Sequence, residues 1–193
     1  MEEKEFNLID EKWVKVLSND YSVKEETLKS VLLNAHLYQD LSGEMPTQNV
    51  AVFRLLLSVL YTVFYRFDVH GNLSTIVSEE QAIDRWMELW NLKRFPEIPV
   101  ASYLDTWKDR FWLFHPERPF FQVPEAIEGT KYGAKKLNSE LLESNNKKRL
   151  FSGYCGEGKD KMDYAMAARC LISLNAYDDS SMKKQRGSDL PSI

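Results

Sequence analysis

Residues 144–158, which read S-N-N-K-K-R-L-F-S-G-Y-C-G-E-G, combine residue types that suit contact with nucleic acid. Three consecutive cations, Lys147, Lys148 and Arg149, can neutralise phosphates. Phe151 follows them and can stack on a base or wedge beside one. The glycines that come next let the backbone approach a partner closely. The segment is predicted to contact nucleic acid, with a solvated run of charges as the alternative.

A second basic cluster lies near the end of the chain. It contains Lys183, Lys184 and Arg186, followed by a glycine. On its own this cluster is more typical of a charged, disordered end than of a binding site.

The side chains that could perform catalysis do not form a recognisable motif. The histidines, His36, His70 and His115, are far apart, and no H-E-x-x-H spacing occurs. His115 is the best candidate because Glu117 and Arg118 lie beside it, so a hydrolase centred on His115 and Glu117 remains one alternative. The surrounding prolines and aromatic residues favour a rigid structural corner instead. We therefore predict no active site.

The two cysteines, Cys155 and Cys170, indicate a reducing compartment and not a disulfide scaffold. Without a cluster of histidines they do not make a zinc site. We predict neither a metal nor another cofactor.

Charge is unevenly distributed along the 193 residues, which carry a net charge of −4. Residues 1–130 contain 13 Lys/Arg and 21 Asp/Glu, a balance of −8, whereas residues 131–193 contain 12 and 8, a balance of +4. An acidic body with a basic C-terminal third fits a protein that presents one face to a polyanion and another to protein partners. Chance segregation of surface charge is the alternative.

The N-terminus is acidic and lacks the apolar core of a signal peptide. The longest apolar run, residues 50–64, contains Arg54 and is too short to span a bilayer. We expect a soluble protein of the cytoplasm.

Helical periodicity dominates the chain, and 44% of its residues are hydrophobic, enough for a substantial core. The expected fold class is α+β, mainly helical, with a few short strands. Residues 1–177 would form the body, including the contact segment at 144–158, and residues 178–193 a loop or a disordered tail. Residues 6–9 and 13–16 are predicted to form a small hairpin or edge strands.

Five helices are predicted from caps and apolar spacing, and residues 137–142 could form a further short helix. The first would begin at Ser22 and run to about Tyr38, and the second would follow Thr47 and run to about Phe67. The third would follow Ser78 and bury one stripe in the core: Ile83, Trp86, Met87 and Trp90. The fourth would cover residues 101–114 and the last residues 162–176.

Several strings, taken in order, resemble the CasA family, the large subunit of Cascade, which is the type I-E CRISPR surveillance complex. They are F-N-L-I-D-E-K-W-V from Phe6, A-H-L-Y-Q-D-L-S-G-E-M-P-T-Q-N-V from Ala35, L-F-H-P-E-R-P-F-F-Q-V-P from Leu113 and S-N-N-K-K-R-L-F-S from Ser144. Lys12 departs from the family, which often has proline there. Members of this family are large, with a mixed N-terminal domain and a C-terminal helical bundle. The chain is therefore similar to a fragment or a naturally shortened version.

The resemblance implies a non-catalytic antiviral role in an RNA-guided complex. The subunit would help to recognise the short duplex motif (PAM) that flanks the target, and would help to recruit the helicase-nuclease that degrades DNA. Sequence itself would be read by pairing of the guide RNA, while protein reads the flanking motif and the backbone. The implied partners are guide RNA, double-stranded target DNA and the other Cascade subunits, with no membrane and no cofactor.

The resemblance also assigns contact residues. The family's loop that meets the 5′ end of the guide matches residues 144–152, and its aromatic residue, here Phe151, matters for motif recognition. This loop contributes Asn145, Asn146, Lys147, Lys148, Arg149 and Phe151. A glycine-rich loop that meets the flanking motif matches residues 178–184, which read D-D-S-S-M-K-K, with Ser180, Lys183 and Lys184 as candidates. Serines and aspartates stand here in place of glycines.

A protein-interaction module is the alternative. In that case the basic and aromatic segment docks a neighbouring subunit without touching nucleic acid.

Overall fold

Two small antiparallel sheets organise the N-terminal part of the computed structural model, which describes residues 4–124 and 161–177. The strands are β1 (Glu5–Asn7), β2 (Val14–Ser18), β3 (Val23–Glu26), β4 (Tyr38–Leu41) and β5 (Trp112–Phe114). One sheet has the order β3-β2-β4, and the other pairs β1 with β5. Because successive side chains of a strand point to opposite faces of the sheet, the alternate residues Val14 and Val16 of β2 are buried on one face.

Of the two structures predicted for residues 6–9 and 13–16, the hairpin is wrong, because β1 does not pair with β2; the edge-strand alternative holds for β1 but not for the central strand β2. Strand β1 pairs with β5, with Glu5 opposite Phe114 and Asn7 opposite Trp112. The connection between β1 and β2 contributes Leu8, Ile9 and Trp13 to the core, while residues 10–12 between them are exposed. Trp13 is fully buried there, and its Nε1 donates a hydrogen bond to the carbonyl of Leu8 over 2.7 Å.

The helices are α1 (Leu28–Leu33), α2 (Pro46–Arg66), α3 (Glu79–Leu92), α4 (Glu97–Trp107) and α5 (Tyr164–Tyr177). Single 3-10 turns lie at Ala35–Leu37 and Lys108–Arg110. The predicted mainly helical α+β class is confirmed.

The predicted first helix, from Ser22 to Tyr38, is wrong at both ends. Val23–Glu26 forms β3, and the helix begins after Thr27, whose side chain accepts the N–H of Ser30. Ser22 does not cap a helix. Its backbone N–H and its hydroxyl both donate hydrogen bonds to Asp20 Oδ1. The capping spacing at Ser22 therefore belongs to a turn between two strands.

The central helix α2 begins at Pro46, before Thr47, and has no side-chain cap. Its 21 residues are long and apolar enough to cross a membrane by length and composition, so the argument that this segment is too short does not hold. However, 44% of the apolar window is buried inside the protein, where α2 packs on α4 and α5. A core helix passes the same test of length and composition, and this packing is what a core helix shows.

Helix α3 begins as predicted, since the Ser78 side chain accepts the N–H of Gln81. The predicted burial of its apolar stripe is wrong. Ile83, Trp86, Met87 and Trp90 are 49–62% exposed. The buried residue of α3 is Arg85, which donates to the carbonyls of Phe64, Phe67 and Ser74.

The predicted fourth helix is displaced. Helix α4 starts at Glu97, immediately after Pro96, and it ends at Trp107. Residues 112–114 form β5, and Leu104 is fully buried whereas Trp107 is 40% exposed. The last helix, α5, agrees with the prediction to within two residues at its start and one at its end.

Candidate nucleic-acid interface and its anchoring helix

The residues predicted to contact nucleic acid lie outside the described residues, and their roles stay predictions. They are Asn145, Asn146, Lys147, Lys148, Arg149, Phe151, Ser180, Lys183 and Lys184. The predicted boundary between a body and a tail at residue 178 likewise stays a prediction. The structure does describe how the chain reaches and leaves both segments, at Pro124, Lys161 and Tyr177.

Both segments are attached to the same helix. Residues 125–160 precede α5, separated from it only by residues 161–163, and residues 178–193 follow it directly. With 14 residues, α5 places its two ends about 20 Å apart. The position of α5 therefore sets where the chain leaves the first segment and where it enters the second.

The sequence of α5 explains how the helix docks. Asp163 caps its start, since Asp163 Oδ1 accepts the N–H of Met166 over 2.7 Å. Ala165, Ala168 and Ile172 are buried, and small side chains allow α5 to approach α2 closely. Apolar spacing predicts that Met166, Ala167, Cys170, Leu171 and Leu174 face inward; of these Cys170 is buried, and the other four are half-buried.

Arg169 fixes α5 to the sheet from a position that is 3% exposed. Its Nε and Nη2 bind the two carboxylate oxygens of Glu44, at 3.0 and 2.7 Å. Its Nη1 donates to the carbonyl of Trp13 over 2.6 Å and to Glu25 Oε1 over 3.0 Å. A bidentate ion pair of this kind fixes the relative orientation of the two side chains as well as the distance between them. One guanidinium thus joins α5 to β3, to the residue before β2 and to the turn before α2.

Glu44 is held as a carboxylate. Burial raises the pKa of its carboxyl, but hydrogen bonds from Arg169 and Lys15 outweigh burial and lower that pKa to about 2. Lys15 Nζ lies 2.8 Å from Glu44 Oε1. The carboxylate therefore stays charged at neutral pH and offsets the cost of burying Arg169.

The turn that presents Glu44 depends on a close approach at Gly43. The N–H of Gly43 donates to Asn49 Oδ1 over 2.7 Å, and the N–H of Glu44 donates to Gln48 Oε1 over 3.0 Å. A Cβ at Gly43 would lie 2.7 Å from Asn49 Oδ1 and closer still to Gln48 Oε1. Only glycine leaves room for these two side chains to bind the turn.

Cys170 lies beside this network and is chemically inert. Gln48 Nε2 is 3.9 Å from its sulfur, and burial raises the pKa of the thiol to about 11. A thiol that stays protonated at neutral pH is a poor nucleophile.

His115 forms a turn, which agrees with its predicted structural role. Its Nδ1 accepts the backbone N–H groups of Glu117 and Arg118, each over 3.0 Å. A base acting through Nδ1 would have to break this turn. Nearby, Gln122 Nε2 donates to the carbonyl of Leu113 over 2.7 Å and so holds the chain shortly before it enters residues 125–160.

Metal ligands do not converge in the described part of the chain. Within residues 4–124 and 161–177, no group of three or more His, Cys, Asp or Glu side chains is placed to hold a metal ion.

The prediction from sequence missed the network around Arg169. Glu44 and Arg169 are 125 positions apart, and a single sequence carries no signal that pairs them. The available hint is that Gly43, Glu44, Gln48 and Asn49 all fall in one of the strings that resemble the CasA family.

Comparisons with known proteins agree with that resemblance. A model of the family "CRISPR-associated protein Cse1" matches residues 7–191. The CRISPR-associated protein CasA/Cse1 of Thermus thermophilus is 36% identical over 182 residues, which are 94% of this chain and 33% of that protein.

Solved structures of Cse1 proteins also resemble this chain. The crystal structure of Thermobifida fusca Cse1 is 31% identical, with a TM-score of 0.68 over 90% of this chain and 30% of that one. A chain from a structure described as a CRISPR RNA-guided surveillance complex has a TM-score of 0.67 over 88% of this chain and 34% of that one. At 21% identity, that second likeness concerns the fold. The chain spans about one third of the length of the relatives it matches.

Proposed function

This chain belongs to the CRISPR-associated Cse1 (CasA) family, and from that premise we propose that it acts as the large subunit, or as the N-terminal third of the large subunit, of an RNA-guided antiviral surveillance complex. The observation that carries the proposal is the family match over residues 7–191, nearly the whole chain. The proposed partners are guide RNA, double-stranded target DNA and the other Cascade subunits, in the cytoplasm.

The anchoring of α5 supports a nucleic-acid role for the two flanking segments. Binding loops work best when a rigid scaffold sets their positions. Here the buried Arg169 and its partner Glu44 hold the helix that lies between the two segments. Lys147, Lys148 and Arg149 would bind phosphates, and Phe151 would stack on a base or wedge beside one. Ser180, Lys183 and Lys184 would contact DNA next to the target.

The finer parts of the role follow from the family. We propose that the chain contributes to recognition of the flanking motif, to contact with the 5′ end of the guide, and to recruitment of the helicase-nuclease. It would perform no catalytic step itself, and protein contacts would read the motif and backbone while guide pairing reads the sequence.

Replacing Phe151 tests the central contact. We expect Phe151→Ala to leave assembly with the guide RNA and the partner subunits intact and to weaken binding of target DNA by about tenfold or more, since stacking on one base contributes about 1–3 kcal/mol. Tyr132→Ala, in the same segment but outside residues 144–158, is the matched control. The measurement is target affinity of the assembled complex at a fixed salt concentration.

The same variant distinguishes the protein-docking alternative. If Phe151→Ala prevents assembly before any target is added, the segment docks a neighbouring subunit. If assembly and target binding both survive Phe151→Ala and also survive replacement of Lys147, Lys148 and Arg149 by alanine, the segment has neither role.

A further inference from the structure

A groove lies where the C-terminal end of α3 meets the 3-10 turn after α1 and the start of α4. It consists of two concavities, of about 330 and about 630 Å³, which share His36, Arg94 and Phe95. The smaller concavity is apolar and lies against Trp86 and Trp90, which are 62% and 58% exposed. The centres of their indole rings lie 6.2 Å apart, with 32° between the ring planes. An open aromatic surface of this kind can stack on a planar ligand.

The groove is basic, although the first 130 residues of the chain carry a balance of −8. Lys93 and Arg94 line it, and the imidazoles of His36 and His70 add hydrogen-bond donors. Glu97 is the single acid among the described residues that line the groove. At physiological salt, exposed charges more than about 8 Å apart are largely screened from each other. A small anion in the groove would therefore meet these cations more strongly than the acids elsewhere on the body.

Within the described part of the chain, Lys93 and Arg94 take part in no ion pair. Lys93 closes α3 with a φ of 57°, in the left-handed region where glycine is the usual residue because it has no Cβ. Its Nζ lies 4.6 Å from the centre of the Trp90 ring. Lysine therefore costs backbone strain at this position, and what it adds over glycine is an ammonium beside an exposed indole.

We propose that this groove binds one unpaired nucleotide, with its base against Trp86 and Trp90 and its phosphate on Lys93 and Arg94. A nucleotide carries a planar ring and an anionic group together, which matches the aromatic rings and the cations that lie side by side here. Stacking needs an open face of the base, which a base pair inside a duplex does not offer. The ligand is therefore a free nucleotide or one nucleotide of a single strand. The site is separate from the predicted contact segments, and the proposal does not rest on them.

Fluorine NMR of the chain labelled with fluorotryptophan tests the site ring by ring, since each signal can be assigned by replacing one tryptophan with phenylalanine. The labelled chain carries alanine at Lys147, Lys148 and Arg149, so binding cannot come from that cluster. The probes are adenosine monophosphate, a short single-stranded oligodeoxyadenylate, and the same strand annealed to its complement.

Signals from the groove should respond selectively. We expect the nucleotide or the single strand to shift the signals of Trp86 and Trp90 and to leave that of the fully buried Trp13 unchanged. The duplex should bind about tenfold more weakly than the single strand, because its bases are already stacked and paired.

Two variants separate a binding role of the cations from a structural one. Lys93→Gly should raise the dissociation constant by about tenfold and keep or raise the melting temperature measured by circular dichroism, since glycine relieves the strained end of α3. Arg94→Gln should raise the dissociation constant to a similar extent. Lys12→Gln removes an exposed cation outside the groove and should leave affinity unchanged.

Tighter binding of the single strand than of adenosine monophosphate assigns the groove to a strand, and equal or weaker binding assigns it to a free nucleotide; either result supports the proposal. The proposal is overturned if no probe shifts the signals of Trp86 and Trp90, or if the duplex binds as tightly as the single strand. It is also overturned if Lys12→Gln weakens binding as much as Arg94→Gln. A negative result would leave the proposed function standing, because the cations of the predicted contact segment are absent from every sample.

Discussion

Arg169 shows how one residue can fix the helix between two predicted contact segments without belonging to either segment. Its guanidinium lies between α5 and the sheet and binds Glu44, Glu25 and the carbonyl of Trp13. Removing one partner of a buried ion pair leaves the other charged and unpaired, at a cost of about 3–5 kcal/mol. The pair of Arg169 and Glu44 therefore determines how firmly α5 is held in its position.

The depressed pKa of Glu44 predicts a loss of stability in acid. Its pKa lies near 2 in the folded protein and near 4.5 when unfolded, so the unfolded state binds the proton more readily. The contribution to the free energy of unfolding, about 3 kcal/mol, is fully present above the unfolded value and is lost as the pH falls from 4.5 to about 2. Urea unfolding across that pH window measures it.

Two variants separate this carboxylate from the other acids of the chain. Glu44→Gln should lower the free energy of unfolding at neutral pH by about 3 kcal/mol and flatten its dependence on pH in the acid window. Glu25→Gln changes an acid that binds the same guanidinium but is 40% exposed, and it is the control for removing an acid beside Arg169. An unchanged acid slope in Glu44→Gln would contradict the assignment.

Gly43→Ala should destabilise the turn that presents Glu44. The added methyl would displace Gln48 and Asn49 from the N–H groups that they bind, and Gln48 is 1% exposed, with no room to retreat. We expect a loss of about 1–3 kcal/mol in the free energy of unfolding, measured by urea denaturation. Ser42→Ala at the neighbouring position is the control, and an equal loss there would contradict a specific effect of the Cβ.

At the element scale, the sequence predicted those helices that carry their own signals. Apolar spacing located α2 and α5, and Ser78 located the start of α3. Ser22 was misleading because its spacing also fits a turn between strands, and Thr27 is the cap that the helix uses. The pairing of β1 with β5 joins residues more than 100 positions apart, which no local pattern specifies.

The stripe on α3 shows a second limit. Periodicity indicates that a helix has an apolar face, but it does not indicate what covers that face. The predicted stripe exists and is exposed, whereas the charged residue Arg85 is the buried one. Less of the candidate interface could be predicted. The sequence indicated contact residues, but it did not indicate the ion pair of Arg169 and Glu44 that holds α5.

Helix α3 should depend on Arg85 for its attachment. The two Nη atoms of Arg85 reach the carbonyls of Phe64, Phe67 and Ser74, and a lysine ammonium cannot reproduce this fork. We expect Arg85→Lys to lower the free energy of opening of α3 by about 2–4 kcal/mol, because buried carbonyls lose their partners. Hydrogen exchange in Arg85→Lys should become faster in α3 and stay unchanged in β2. Arg66→Lys, on the exposed side of α2, is the control. An equal increase of exchange in α3 for the two variants would contradict the prediction.

At the scale of the whole molecule, the chain is a third of its relatives in length and carries its charge unevenly. The balance of −8 over residues 1–130 and +4 over residues 131–193 places the cations in and around the segments that α5 anchors. Since the acidic part includes both sheets and α1 to α4, long-range attraction to a polyanion would have to come from the C-terminal third.

Salt dependence tests this division of charge. Each phosphate contact contributes about 0.7 to 0.9 to the slope of log K against log salt, so alanine at Lys147, Lys148 and Arg149 should reduce that slope by roughly 2 to 3. The assembled complex titrated with target DNA over a salt series gives the slope. Alanine at Lys131, Lys135 and Lys136 removes the same charge from a neighbouring stretch, and it should shift affinity weakly without the same change in slope. Equal slopes for the two triple variants would mean that the segment acts through net charge alone, and not through defined phosphate contacts.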